Sequence, residues 1–409
     1  MIFNRGQQRT INAALDFFYN SSQQVFELAG NPGTGKSVVM GEILRQIQER
    51  SRIQLERIAP MAYTGAASIV MRLKGMPTAK TIHSWLYETV EVPLRDQSGN
   101  VVMDKYLNVP VMTMKFIPRQ LKGKLDIIMI DEGGMVPESM KREILNTGAK
   151  VFVAGDLDQL PPVADTPAFL TNPDRVYVLD EIMRQAEGSA IIYLSQRAKN
   201  GLPIHTGWYG NPGSYGDVLV ITEDELTDDL IRAANVVLCG RNATRDRLIT
   251  HIRRNILGYT STLPKYGEKL ICRKNNWALE SGGINLTNGL TGTVMNNPDP
   301  SGFDGQEFRI DFMPDLAPNS SFLNVPVSYR YLLASKEGRD AIKKSGFVSG
   351  NLFEYGYAQT VHLAQGSQWP NGIYFEEYLS KEINNRVHYT ALTRFSNMCI
   401  YVKQKRKYY

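Results

Sequence analysis

The chain has 409 residues, too many for one compact core and enough for two to four structural units. Its 43% hydrophobic content is that of an ordinary globular protein, and no run of about 18 apolar residues is present, which excludes a transmembrane helix. A net charge of +5 permits a polyanionic partner without demanding one, and the basic tail from Lys403 to Tyr409 reads equally well as a solvated terminus.

Met1 to Arg5 lacks the charged-then-apolar layout of a signal peptide. Cys239, Cys272 and Cys399 are odd in number, far apart and set in apolar stretches, so buried free thiols in a reducing cytoplasm are expected. Val25 to Ala29 reads as a short strand, and Val38 to Ile47 has helical spacing. Between them lies Gly30-Asn31-Pro32-Gly33-Thr34-Gly35-Lys36-Ser37, which has the form G-x-x-x-x-G-K-[ST]. Glycines 30, 33 and 35 let backbone N–H groups approach nucleotide phosphates, and the helix N-terminus adds positive potential. Lys36 has the reach for the β and γ phosphates of ATP, and Ser37 can ligate Mg²⁺.

Leu55 to Ala59 reads as a strand and Gly65 to Leu73 as a helix. Thr89 to Leu94 and Asn100 to Met103 flank the turn-forming run Asp96 to Asn100, a β-hairpin signal. Ile127 to Ile130 and Val151 to Ala154 are continuous apolar runs, as in strands buried on both faces of a parallel sheet. The first run ends in Asp131-Glu132, where Asp131 is placed to hold the metal and Glu132 to polarise the attacking water. After the second comes Gly155-Asp156-Leu157-Asp158-Gln159-Leu160-Pro161-Pro162. Gln159 carries both a donor and an acceptor, suiting contact with the γ phosphate and the attacking water together.

A second α/β rhythm begins near Arg184, with a strand at Val236 to Cys239 and a helix from Ala243 to Ile256. From Pro264 to Gly350 short strands separated by Gly, Asn and Pro read as a small β-barrel inserted in that second α/β unit. The α/β pattern then returns with Tyr355 to Leu363, Gly372 to Phe375 and Cys399 to Val402. The fold class is therefore α/β, with two parallel-sheet units, an inserted hairpin and an inserted barrel. The histidines and cysteines show no zinc-ligand spacing.

Taken together, the phosphate loop, Asp131-Glu132 and the Gly155 to Pro162 string resemble superfamily 1 helicases, in the RecD-like and Dda-like (phage-type) branch. Phe3 to Gln7 resembles the N-terminal glutamine motif, which implies that Gln7 reads the adenine edge. Ala59-Pro60 through Ala67 resembles the motif whose threonine, here Thr64, contacts the DNA backbone; Thr81-Ile82-His83-Ser84 is similar to the segment that follows it. Met183-Arg184-Gln185 resembles the motif supplying one arginine finger. Tyr357 to Ser367 resembles the motif linking DNA to nucleotide, with Thr360 and His362 on the strand and Gly366 on the nucleotide. Tyr389 to Arg394 resembles the last motif, with Arg394 as the second finger. Two departures stand out: Gln368 occupies a position where many relatives carry an acid, and Phe395 follows Arg394 where Ala is frequent.

The resemblance implies two RecA-like domains, with the barrel SH3-like. The first domain covers 1–84 and 121–180, with a wedge hairpin at 85–120. The second covers 181–263 and 351–409, with the barrel at 264–350. It implies ATP-driven, 5′-to-3′ movement on single-stranded DNA with unwinding at duplex junctions by a monomer, away from membranes. Replication or single-strand-binding proteins are further candidate partners. Trp85 reads either as core or as a stacking surface for a base. Three other readings stay open: an ATPase that displaces bound protein without efficient unwinding, a P-loop kinase of a small metabolite, and a non-catalytic binding module. The second α/β half and its arginines weigh against the kinase, and the intact Lys36, Asp131, Glu132 and Gln159 against the binding module.

Overall fold

The computed structural model describes residues 2–96, 98–103, 108–119, 124–162, 165–181, 188–211, 216–298, 306–345 and 349–404. The chain forms two compact units. One comprises Met1–Thr81, Gly123–Thr260 and Gly356–Tyr409; the other comprises Ile82–Lys122 and Ser261–Tyr355.

The first unit holds two six-stranded sheets. In the first sheet the order is Lys80–Thr81, Ile58–Ala62, Ile127–Asp131, Lys150–Gly155, Val25–Gly30, Val176–Leu179, all parallel. Ile127, Ile128, Met129 and Ile130 are all fully buried, which is why this strand reads as an unbroken apolar run. Helices Arg5–Asn20 and Lys36–Ser51 pack Ile11, Phe17, Val39 and Ile43 against Phe26 and Phe152. Asn4 and Gln7 form a capping box that starts the first helix. The strand expected at Leu55 to Ala59 runs instead over Ile58–Ala62, after a 3₁₀ turn at Leu55–Arg57. Leu55 is apolar but exposed, so the strand begins where burial begins.

The second sheet has the order Ala358–Thr360, Val237–Cys239, Trp369–Phe375, Phe395–Lys403, Asp217–Thr222, Gly207–Tyr209; only the last strand is antiparallel. Both faces are covered, and the strand alternation shows it. Leu238 and Tyr401 face one core with Leu194 and Val387, while Val237, Ile400 and Val402 face another with Ile252 and Ile373. The helix expected from Ala243 to Ile256 is α-helical over Asn242–His251 and continues as a π turn, Ile252–Ile256. Cys239, Cys272 and Cys399 are buried free thiols. No described helix is long and apolar enough to cross a membrane.

In the second unit, Tyr87–Pro93 pairs antiparallel with Met112–Pro118. Beyond this ladder Arg95 bridges Val101, and Asp96 Oδ1 accepts from the amides of Ser98 and Asn100. The hairpin expected around residue 99 is thus the tip of a longer arm whose return strand is Met112–Pro118. The unit also holds a two-stranded sheet, Asn276–Ser281 with Ile284–Leu286, and a five-stranded antiparallel sheet in the order Phe322–Ser328, Glu307–Pro314, Thr291–Val294, Lys269–Cys272, Phe353–Tyr355. Its last strand extends past residue 350, because Phe353–Tyr355 pairs with Lys269–Cys272 rather than with the second parallel sheet.

Candidate active site

Strand Val25–Gly30 lies between Lys150–Gly155 and Val176–Leu179, and the loop at its carboxyl end runs into helix Lys36–Ser51. Gly33 and Gly35 have φ of 83° and 84°, the left-handed region that favours glycine. A Cβ on Gly30 would stand 2.6 Å from Thr34 Oγ1 and 2.9 Å from the Leu179 carbonyl, so only glycine fits there. Thr34 Oγ1 donates to Asn31 O at 2.8 Å, and Gln7 Nε2 donates to Thr34 O at 3.0 Å. Gln7 is buried, its Oε1 accepting from the Asn4 amide, so this side chain ties the first helix to the loop. Lys36 Nζ lies over the loop, donating to Gly30 O at 2.5 Å and Asn31 O at 3.3 Å. Ser37 Oγ, at the helix start, accepts from Lys74 Nζ.

Asp131 ends its strand, and its Oδ1 accepts from the Glu132 amide at 3.0 Å. Glu132 itself has φ 54°, ψ 41°, an uncommon conformation for a non-glycine residue and one that concentrates at functional sites. Arg394, carried by the second sheet's last helix–strand turn, places Nη1 4.0 Å from Glu132 Oε1. The guanidinium is otherwise held by the carbonyls of Thr390 and Ser367 and by Thr393 Oγ1. Burial pushes the Glu132 carboxyl above its ordinary range, and Arg394 opposes that shift.

Asp156 is the hub joining the two sheets. Its Oδ1 accepts from the Asp158 amide, and its Oδ2 from Gln159 Nε2 at 3.4 Å and the Tyr389 hydroxyl at 2.6 Å. That hydroxyl also lies 3.3 Å from Asn31 Oδ1 of the loop. Burial and the adjacent Asp156 carboxylate push the Tyr389 phenol far up, so it stays a proton donor. Next along the chain, the Leu160 amide donates to Thr390 Oγ1, Gln365 Nε2 donates to Leu160 O, and Lys199 pairs with Asp158. Gln159 is buried, and its Oε1 has no hydrogen-bond partner. This arrangement fits a nucleotide: loop glycines that admit close approach, an ammonium, a hard carboxylate–hydroxyl pair in Asp131 and Ser37, and a buried acceptor awaiting a donor.

The sequence reading missed Tyr389, Asp156, Asn31, Thr390 and Gln365 as linking residues, although each lies inside a segment it singled out. The available signal was a set of polar side chains embedded in otherwise apolar strings.

Of the residues assigned to a strand of DNA, Thr64 caps helix Gly65–Leu73, its Oγ1 accepting from the Ala67 amide. Gly366, at φ 78°, packs directly on it; a Cβ there would be 2.4 Å from Thr64 Oγ1. Thr81 and Thr360 are buried, and Thr360 Oγ1 accepts from the Leu363 amide. Burial lowers the imidazole pKa of both His362 and His83, favouring the neutral ring. His83 and the half-buried Trp85 sit in helix Ile82–Leu86 of the second unit. Arg184 lies outside the described residues.

Residues 3–214 match the family described as AAA domain. The chain is 26% identical over 397 residues to the ATP-dependent RecD2 DNA helicase of Deinococcus radiodurans, covering 90% of this chain and 45% of that protein. It spans under half the length of the curated relatives it matches. Among solved structures, Pif1 helicase from Candida albicans is 17% identical with a TM-score of 0.52, covering 100% of this chain and 97% of that one. Bacteroides Pif1 bound to single-stranded DNA is 16% identical with a TM-score of 0.53, covering 98% and 92%. These likenesses show a shared fold. With just over half its length matching, the chain belongs to the AAA domain family.

Proposed function

We propose that the chain is an ATP-dependent DNA helicase that moves 5′ to 3′ on single-stranded DNA and opens the duplex ahead of it. The observation that carries this reading is the approach of Arg394, from one sheet, to Glu132 at a strand end of the other. Gly30 to Ser37 cradle the phosphates, Lys36 neutralises the β and γ oxygens, Gln7 braces the adenine side, and Gly366 borders the nucleotide. Ser37 and Asp131 would hold Mg²⁺, which supplies charge neutralisation on the phosphate oxygens. Glu132 takes a proton from the attacking water, and its raised pKa makes it a better base near neutral pH than an ordinary carboxylate. Arg394, with Arg184 as its expected partner, stabilises charge on the transferring phosphoryl group, an effect of about 10³–10⁵ in rate.

The Asp156–Tyr389 and Leu160–Thr390 bonds convey the nucleotide state from one sheet to the other. On this reading 1–84 with 121–180 and 181–263 with 351–409 act as two motor halves that close and open with each turnover. Thr64, Thr81, Thr360 and neutral His362 suit sequence-independent phosphate contacts, and His83 and Trp85 are separate candidate strand contacts. The arm Tyr87–Pro118 serves as the wedge expected at 85–120, and the five-stranded sheet serves as the SH3-like barrel expected at 264–350, its last strand running on to Tyr355. The Pif1 relative solved with single-stranded DNA supports such a ligand.

An unwinding assay comparing 5′-tailed with 3′-tailed duplexes tests the reading. ATP-dependent opening of only the 5′-tailed substrate is expected. Opening of the 3′-tailed substrate alone would overturn the polarity, and ATP hydrolysis indifferent to DNA would overturn the motor. Removing residues 96–101 is expected to spare DNA-stimulated hydrolysis and impair unwinding.

A further inference from the structure

A pocket of about 260 Å³ opens beside Glu132, lined also by Asp156, Gln159 and, from helix Asn384–Leu392, Arg386. Buried Leu160 and Phe169 supply apolar wall. No residue of the 30–37 loop lines it, so it reaches Glu132 apart from the loop that cradles the nucleotide. Arg386 is exposed and is the one cation among the described lining residues. Arg386 and Thr390 stand four residues apart on one helix face, and Thr390 holds the Leu160 amide, so the helix is fixed against the pocket wall. Gln159 is buried with Nε2 bonded to Asp156 and Oε1 unpartnered.

We propose that orthophosphate, the product of hydrolysis, leaves through this pocket, drawn outward by Arg386. The proposal rests on the ATPase reading above. In that reaction the water oxygen bonds to the γ phosphorus and the bond from that phosphorus to the β–γ bridging oxygen breaks. ADP keeps the electron pair. One water proton passes to Glu132, and the other stays on the product as a P–OH group. Fully ionised γ phosphate has no proton to donate, whereas the attacking water and then hydrogenphosphate do. The orphan acceptor of Gln159 is thus matched to the water and the product rather than to the bound fuel. Asp156, and Glu132 once it has lost its proton, repel the dianion, so the pocket is a passage rather than a trap. The planar guanidinium of Arg386 supplies the outward pull through paired charge-assisted bonds.

Acid-quench single turnover reads cleavage, and a fluorescent phosphate sensor reads release. For Arg386→Ala we expect cleavage within about twofold of the parent chain and release slowed about tenfold, with Arg386→Lys recovering part of the loss. Thr171 is exposed and also lines the pocket, so Thr171→Trp, which narrows it with Arg386 intact, is expected to delay release in the same way. Release keeping pace with cleavage in both variants overturns the proposal. So does an equal fall of cleavage and release in Arg386→Ala, which would put Arg386 in the chemical step. A parent chain that cleaves no ATP overturns the underlying reading, and the proposal with it.

Discussion

The two parallel sheets present the same device in opposite states. In each, a strand ends in a glycine-containing loop that feeds a helix N-terminus with no side-chain cap of its own. After Val25–Gly30 that N-terminus receives Lys36, Ser37 and a loop fitted to phosphates. After Val237–Cys239 it is filled from within. Glu377 Oε2 accepts from the amides of Gly240 at 2.6 Å and Arg241 at 2.9 Å, while Oε1 accepts from Thr244 Oγ1 at 2.6 Å. A buried carboxylate thus occupies the place that, on the proposed reading, a phosphate oxygen would take in the other sheet, and satisfies amides at the helix start. On the proposed reading one sheet is left able to bind fuel. The other, its anion site closed by its own side chain, contributes Arg394 and Tyr389 instead.

The sharpest way to break this contrast is at the open loop. Lys36→Ala is expected to lower ATP hydrolysis by about 10³-fold or more. Turnover near the parent rate in a phosphate-release assay would mean the loop is not the fuel site. Next in size is Glu132→Gln, which is expected to bind ATP and DNA normally in equilibrium titrations while losing about 10²–10⁴ in hydrolysis. Loss of nucleotide binding instead would make Glu132 structural.

The open loop was legible in sequence because its chemistry is local: eight consecutive residues, a strand before and a helix after. Asp131, Glu132 and Gln159 were legible because polar residues at the end of apolar runs mark strand ends. The closure by Glu377 was not, because its carboxylate reaches back 137 residues to Gly240. The Tyr389–Asn31 contact spans 358 residues and depends on how the two sheets meet. The return strand Met112–Pro118 was missed because only pairing with Tyr87–Pro93 defines it, and the barrel was bounded at 350, with Tyr355 read into the returning α/β pattern, because only pairing with Lys269–Cys272 places Phe353–Tyr355.

The closed site is tested by Glu377→Ala. Removing the carboxylate leaves two amides and a hydroxyl without their acceptor, and a loss of about 2–3 kcal/mol in the first unfolding transition is expected. Added sulfate should restore part of that stability by entering the vacated anion position. An unchanged transition in denaturant titration would mean that Glu377 merely accompanies the helix start.

The smallest effect turns on the Glu132 carboxyl, which desolvation raises, with Arg394 only partly offsetting that. A carboxyl whose folded pKa lies above its unfolded value makes folding take up a proton between the two. Its contribution therefore favours the fold at low pH and is lost as pH rises through that window. Above the window the ionised group is a net cost that an uncharged amide does not carry. Glu132→Gln should accordingly raise the thermal midpoint slightly at pH 8 and by less at pH 5, while Glu377→Ala lowers it at both. The same shift places the acid limb of the hydrolysis rate above the ordinary carboxylate range, because the base must be ionised to act. Arg394→Gln removes the opposing charge and should move that limb higher still in a pH–rate profile of the residual activity. A limb left where it was would mean that Arg394 serves the phosphoryl group without tuning the base.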